Sequence, residues 1–364
     1  MKSPRFVNLI THDWDRRMYS LHRLDTMKHL FYPSSARARE SAAAAAQDLP
    51  NTTKKKSKNK PSIIQRLPEP EINFHPTPGR VNSPSRDSFS LLGRHGVVFT
   101  DSSARTSLYD TARGVFTVIS PMNSRKSYQR PWGISLPVVK AWPPFLSDSD
   151  PPSFRRPTIQ NCCYATVDDG STICISSMEQ GIGTYAFDTA SHVWRQVGQW
   201  ALPFHGRAEY VPELNLWLSL AMNYCSPSPG PRLCAFDLSA MDGAEHPPTP
   251  QHAWEYLDYT YPEEDNKKML IHELYLVNLG SGMFCIATHI RIMWSPPPDD
   301  GDLTTEDSSS CNTDQEIPMM DIPTEEFVVL TGVKVERCCS CDGPQMIKHK
   351  SRRYDFRQTM KAVL

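Results

Sequence analysis

No run of apolar residues in this 364-residue chain approaches the roughly eighteen that a membrane-spanning helix needs. Met1 to Arg17 carries charges throughout and has no apolar core of signal-peptide length. Neither secretion nor a membrane location is expected; a cytoplasmic or nuclear one is. The ten cysteines should then be reduced thiols. Cys163, Cys174, Cys234 and Cys285 lie inside strand patterns, where a free cysteine behaves as a small buried hydrophobe. The net charge is only −1, so the field of the whole molecule selects no partner. Glycine is modest at 17 and proline abundant at 32, which suits long irregular loops. Helical periodicity is almost absent.

The linear signatures of chemistry are also missing. There is no G-x-S-x-G elbow and no P-loop. Cys338-Cys339-Ser340-Cys341 contains one C-x-x-C pair, but a structural zinc needs four ligands. No second pair exists, and Cys311 and His349 are the only nearby candidates, so no metal is expected. Gly181-Ile182-Gly183-Thr184-Tyr185-Ala186 has the spacing of a dinucleotide loop, which must open a helix. Strand-like residues follow it instead, so it is a hairpin turn. His272-Glu273 begins like a zincin helix without the second histidine. His95 and His205 stand beside glycines in turns. No catalytic residue and no cofactor site is assigned, although catalytic sets scattered along a chain leave no motif.

What the chain does have is a repeat. Asp-Thr-x-x-x-(Leu/Val)-(Phe/Trp) occurs at Asp25 to Phe31, Asp110 to Phe116 and Asp188 to Trp194. An apolar residue precedes each copy: Leu24, Tyr109 or Phe187. Thr106–Tyr109 and Thr184–Phe187 alternate polar and apolar, the period of a half-buried strand. The aspartate then opens a turn by accepting backbone N–H bonds. Val115–Ile119 and Val193–Val197 resume a strand, with the aromatic expected in the wedge between sheets. A degenerate fourth copy runs through Arg232–Phe236 to Asp237, with its aromatic delayed to Trp254 by a proline-containing insertion. Many short strands with turn residues between them predict an all-β chain. Units of about forty to fifty residues with four strands each predict a β-propeller-like array of about five to six irregular blades.

Two segments differ in composition. Residues 35–85 contain Ala42–Ala46, the run Lys54, Lys55, Lys56, Lys58 and Lys60, and six prolines from Pro61 to Pro84, and are expected to be disordered. Residues 295–325 are acidic and Ser/Thr-rich and are expected to form a disordered loop. Charge follows the same division. Residues 1–66 hold 14 Lys and Arg against 5 Asp and Glu, and residues 258–326 hold 3 against 15. Residues 1–34 should close the propeller against strands of the body, 86–364, with Phe327–Leu330 or Val333–Glu336 as partners. The lysine run reads as a nuclear localisation signal or a solvated linker. Aromatics for base stacking are missing around it, which argues against nucleic-acid recognition.

The opening Arg5–Ile10, with Tyr19–Asp25 and Leu30-Phe31-Tyr32-Pro33, resembles a family of plant proteins expanded in grasses, whose domain has no known function. The later Tyr-Asp-Thr and Phe-Asp-Thr-x-x-x-x-Trp units are similar to kelch and F-box-associated propeller repeats. The resemblance implies a fold and no activity. The expected function is a non-enzymatic interaction module that binds a protein partner through propeller loops, in the manner of a substrate-recognition or scaffold protein. The alternatives are an enzyme with its site at the channel mouth and a nuclear regulator using Lys54–Lys60.

Overall fold

The computed structural model describes residues 6–47, 64–75, 87–119 (without 94, 102 and 104), 162–177, 181–223, 230–257 (without 242 and 243), 267–294, 322–338, 343–355 and 359–364. In chain order it begins with β1 (Phe6–Asp13), β2 (Met18–Asp25), α1 (Thr26–His29), α2 (Ser35–Gln47), β3 (Ile64–Gln65) and β4 (Ile72–Phe74). Four strands follow, β5 (Ser88–Leu92), β6 (Gly96–Thr100), β7 (Thr106–Asp110) and β8 (Val115–Ile119). Next come β9 (Cys162–Val167), β10 (Thr172–Ser177), β11 (Thr184–Asp188) and β12 (Val193–Gly198). Then come β13 (His205–Val211), β14 (Leu216–Asn223), β15 (Gly230–Phe236) and β16 (His252–Glu255). The last strands are β17 (Lys267–Gly280), β18 (Met283–Trp294), β19 (Ile322–Arg337), β20 (Pro344–Asp355) and β21 (Thr359–Val363).

The strands form antiparallel units of four. β5 to β8 make one sheet in chain order, and β17 to β20 make another that β3 extends. β9 to β12 and β13 to β16 make two more, joined by a parallel pairing of β9 with β13. The remaining sheet has the order β21-β1-β2-β4 and so combines strands from both ends of the described chain. The protein is thus an all-β, propeller-like array.

Apolar faces join four pairs of these sheets. Ile10, Tyr19, Leu21 and Phe74 of the β1 sheet pack on Val97, Phe99 and Tyr109 of the β5–β8 sheet. Ala208, Trp217 and Phe236 pack on Cys163, Ala165 and Ala186, joining the third and fourth units. Leu216, Leu218 and Leu233 of the fourth unit meet Phe284, Ile286 and Val333 of the fifth. The other face of the fifth, with Cys285, Ala287 and Val328, meets Val7, Leu9, Met360 and Val363 and returns the stack to the β1 sheet. Most of β18 is buried because it carries a packed layer on both faces.

The C-terminal partner of β1 is β21, with Leu9 opposite Val363 and Ile10 opposite Ala362. It is neither of the two segments expected from the sequence. Phe327–Leu330 and Val333–Glu336 are one continuous strand, β19, paired on its two sides by β18 and β20, and so have no free edge to offer.

Residues 35–85 are not wholly disordered either. The alanine-rich stretch forms α2, as its helix propensity favours. The helix lies against β20, with Ala38 buried and Arg39 paired to Glu336 at 3.1 Å. Phe74 is buried among aromatics, and the Tyr354 hydroxyl donates to Gln65 Oε1 at 3.1 Å. The acidic segment expected over 295–325 ends earlier, since Ile322–Glu325 already belong to β19; residues 295–321 lie outside the described residues. No helix among the described residues is long and apolar enough to cross a membrane.

Candidate functional site

The second and third repeats have the same geometry. Asp110 pairs with Val115 and Tyr109 with Phe116; Asp188 pairs with Val193 and Phe187 with Trp194. Asp110 Oδ1 accepts from the N–H groups of Ala112 and Arg113, at 2.9 and 3.2 Å. Asp188 Oδ1 accepts from Ala190 and Ser191, at 2.8 and 2.7 Å, and these bonds hold its carboxyl below the usual range. The threonine adds a bond to the preceding hairpin: Thr111 N–H donates to His95 O and Thr189 N–H to Ser171 O, both at 2.8 Å. The loop is closed by a left-handed residue, Gly114 at φ 66° and His192 at φ 60°.

The first copy departs from this pattern. Asp25 caps α1, accepting from Lys28 N–H at 3.2 Å, and no left-handed residue returns the chain into a hairpin. Phe31 is instead carried past the end of α1 into the core between the β1 and β17–β20 sheets. Gly332 makes room for that approach, since a Cβ there would meet Leu30 O at 2.5 Å. In the fourth copy Asp237 Oδ1 accepts from Ser239 N–H at 2.9 Å, but Trp254 pairs with Leu233, three residues before Phe236, and is not in the equivalent register.

In the second and third copies the aromatic that follows the turn is not buried as expected. Phe116 is 47% exposed and Trp194 only partly buried, because both lie on the last strand of a sheet with a neighbour on one side. The buried residue is the one before the aspartate: Leu24, Tyr109, Phe187 and Phe236. These turns are structural. Lys54 to Lys60 lie outside the described residues.

A different set of polar residues converges from several units. It lies on the first strand of each. β9 and β13 run side by side with Tyr164 opposite Arg207. Arg207 pairs with Glu209 at 3.0 Å, and Glu209 also takes a side-chain hydrogen bond from Asn278 on β17. Further along β17, the Tyr275 hydroxyl donates to Glu273 and lies 3.5 Å from the Lys361 carbonyl on β21. Four first strands therefore touch in succession; three of them, β9, β13 and β17, carry Tyr164, Arg207, Glu209, Glu273, Tyr275 and Asn278, and β21 adds the Lys361 carbonyl. Burial pushes the Glu209 carboxyl up, against the pull of Arg207 and Asn278. Burial likewise raises the phenols of Tyr164 and Tyr275. Arg207 is half exposed and supplies the site's accessible cation. No motif marks these residues; the only sequence signal is the charged pair Arg207 and Glu209 at i, i+2 within one strand.

A second polar cluster crosses β18 and β19. Buried His289 sets Nε2 2.8 Å from Glu326 Oε1, and Arg291 donates to Glu326 Oε2 at 3.0 Å. Burial opposes ionisation of Glu326, but the hydrogen bonds and charges of His289 and Arg291 outweigh it and hold the carboxyl below its usual value. Among the described residues no group of three or more His, Cys, Asp or Glu is placed to hold a metal ion. Cys234 and Cys285 are poor nucleophiles, because burial pushes their thiols to about 11 and about 12. Cys338 is disulfide-bonded, against the expectation of ten thiols.

His349 provides a pH test of the packing beside Phe31. Its Nδ1 accepts from Tyr32 N–H at 3.1 Å, and burial first, then Lys334, brings it from 6.5 to about 4. A histidine with a lowered folded pKa adds stability above its unfolded pKa and loses it as pH falls towards the folded one. The urea midpoint should therefore fall between about pH 6.5 and pH 4. Other buried histidines share this direction, so the readout is the difference from His349→Gln, whose amide oxygen keeps the Tyr32 bond. Equal slopes for the two proteins would show that His349 is solvated.

Residues 4–140 and 129–354 match the sequence profile of the family described as "Protein of unknown function (DUF1668)", and the chain belongs to that family. No curated protein matches it. Among solved structures, the complex of KlAtg21 with the coiled coil of AgAtg16 is similar at 10% identity and a TM-score of 0.28, covering 96% of this chain and 100% of that one. The Cps50 (Swd1) β-propeller domain of Myceliophteria thermophila is similar at 8% identity and a TM-score of 0.18, covering 77% and 89%. Both scores are too low for the likeness to bear on fold or function.

Proposed function

We propose that this protein is a non-enzymatic, kelch-like interaction module that binds a protein partner at the first-strand site, serving substrate recognition or scaffolding. The observation that supports this is the mixed character of that site. The half-exposed Arg207 guanidinium reaches the surface there, 3.0 Å from Glu209 and opposite Tyr164, while Asn278 and Tyr275 are engaged by Glu209 and Glu273 and hold the site in place. Such a surface is suited to holding a peptide by hydrogen bonds and one ion pair. Tyrosine and arginine are the side chains most enriched among binding hot spots.

The test is affinity capture with the full chain, its Arg207→Gln variant and a variant with serine at Lys54, Lys55, Lys56, Lys58 and Lys60. Arg207→Gln should weaken capture of the same partner by at least about tenfold, as for truncation of an interface ion pair, with the protein still folded by far-ultraviolet dichroism. The serine variant should capture normally. Loss of the partner only with the serine variant would favour a nuclear regulator acting through the basic run.

A further inference from the structure

We infer that β8 is a self-association edge at which two copies of this chain pair antiparallel into one continuous sheet. β8 ends the β5-β6-β7-β8 sheet, and its outer side pairs with no described strand. All five of its residues are exposed, and four are apolar: Val115, Phe116, Val118 and Ile119, with Val118 at 76%. Its pairing with β7 has no bulge. An exposed, regular, uncharged edge strand is a template for another strand, and proteins normally blunt such edges with charge, bulges, shortness or a cover.

The last strands of the other four-stranded units are blunted. β12 carries Arg195 and pairs through a bulge. β16 is four residues long and ends in Glu255, paired with Arg232 at 2.8 Å. β4 has three residues, and β20 is covered by β3 and α2. β8 has none of these devices; β5, at the other end of its sheet, is likewise uncharged and free of bulges but is only partly exposed over its first three residues, whereas β8 is exposed throughout.

The occupant that β8 fits is its own copy. A two-fold axis through Thr117 places Thr117 opposite Thr117, Phe116 opposite Val118 and Val115 opposite Ile119. Threonine pairs and aromatic–β-branched pairs are favourable across antiparallel strands, and a two-fold interface requires this self-complementarity. The register also keeps like charges apart, since the two Arg113 side chains fall at opposite ends of the paired strands. The product is an eight-stranded sheet made of two β5–β8 units.

The experiment uses the full chain in sedimentation velocity at about 10 μM, where even a micromolar Kd leaves most chains paired. Wild type should sediment as a dimer. Val118→Lys should sediment as a monomer with an unchanged melting temperature, because Val118 packs against little in the single chain. Under mild oxidation Thr117→Cys should cross-link into dimers beyond the wild-type background, since directly opposed Cα atoms stand about 4.5–5.5 Å apart, within disulfide reach. Val115→Cys should not, because each Val115 faces Ile119. A monomeric wild type overturns the inference, whether another part of the chain or a different protein covers the edge. A Val118→Lys protein that stays dimeric overturns it equally.

Discussion

A chain lacking Thr359–Leu364 is expected to be aggregated or only partly folded. β21 is one flank of β1, with Asn8 N–H donating to Leu364 O at 2.8 Å and Leu364 N–H to Asn8 O at 2.9 Å. Met360 and Val363 are buried in the cluster joining the β1 sheet to the fifth unit. At about 1.5–3 kcal/mol for each buried apolar side chain, their loss alone removes roughly 3–6 kcal/mol. Domains of this kind are stable by only about 5–15 kcal/mol in total. The deletion also bares a β1 edge that contains Leu9 and Ile10, which invites association with other chains. Deleting Lys54–Lys60 is the control and should leave the unfolding midpoint unchanged. Size-exclusion chromatography and far-ultraviolet dichroism measure both outcomes. A monomeric, fully folded protein without β21 would mean that the β1 sheet is an arm and not part of the packed array.

Replacing Phe236 by alanine should cost about 3–5 kcal/mol, the usual range for deleting a large core aromatic. Phe236 has no exposed surface, sits 5.3 Å from the Phe204 ring and packs between the third and fourth units. Phe116→Ala should cost no more than about 1 kcal/mol in dilute protein, as for an exposed position. The pair of variants asks which side of the repeated aspartate carries the packing. Urea titration at a protein concentration below association decides it. A larger loss at Phe116 than at Phe236 would restore the residue after the turn as the core position.

The difference between those two positions shows how far sequence reasoning reaches here. The turn itself is legible because its bonds are local: Asp110 and Asp188 reach N–H groups two and three residues ahead. The same four-letter pattern at Asp25 misleads because a hairpin also needs a residue at positive φ, which Gly114 and His192 provide and His29 does not. The exposure of Phe116 is not legible, since alternation identifies a face of a strand but not whether the strand is central or last in its sheet. The helix over Ser35–Gln47 escapes sequence reasoning for a related reason. An alanine-rich run forms a lasting helix only where something receives it, and β20 does so from more than 290 residues away in the chain.

By itself the sequence determined what local physics controls: an all-β chain, strands broken by aspartate turns, and repetition of the unit. Period-two patterning and turn chemistry act over a few residues, so they can be read without knowing what lies above or below. Only the tertiary structure decided which strand joins the N-terminal pair, which aromatic is buried and which polar groups meet. Those outcomes depend on contacts between distant residues, such as Asn8 with Leu364 and Tyr275 with Lys361. The first-strand site arises this way, from residues between Tyr164 and Lys361 that no spacing in the chain connects, because strands of successive sheets are brought side by side when their apolar faces stack.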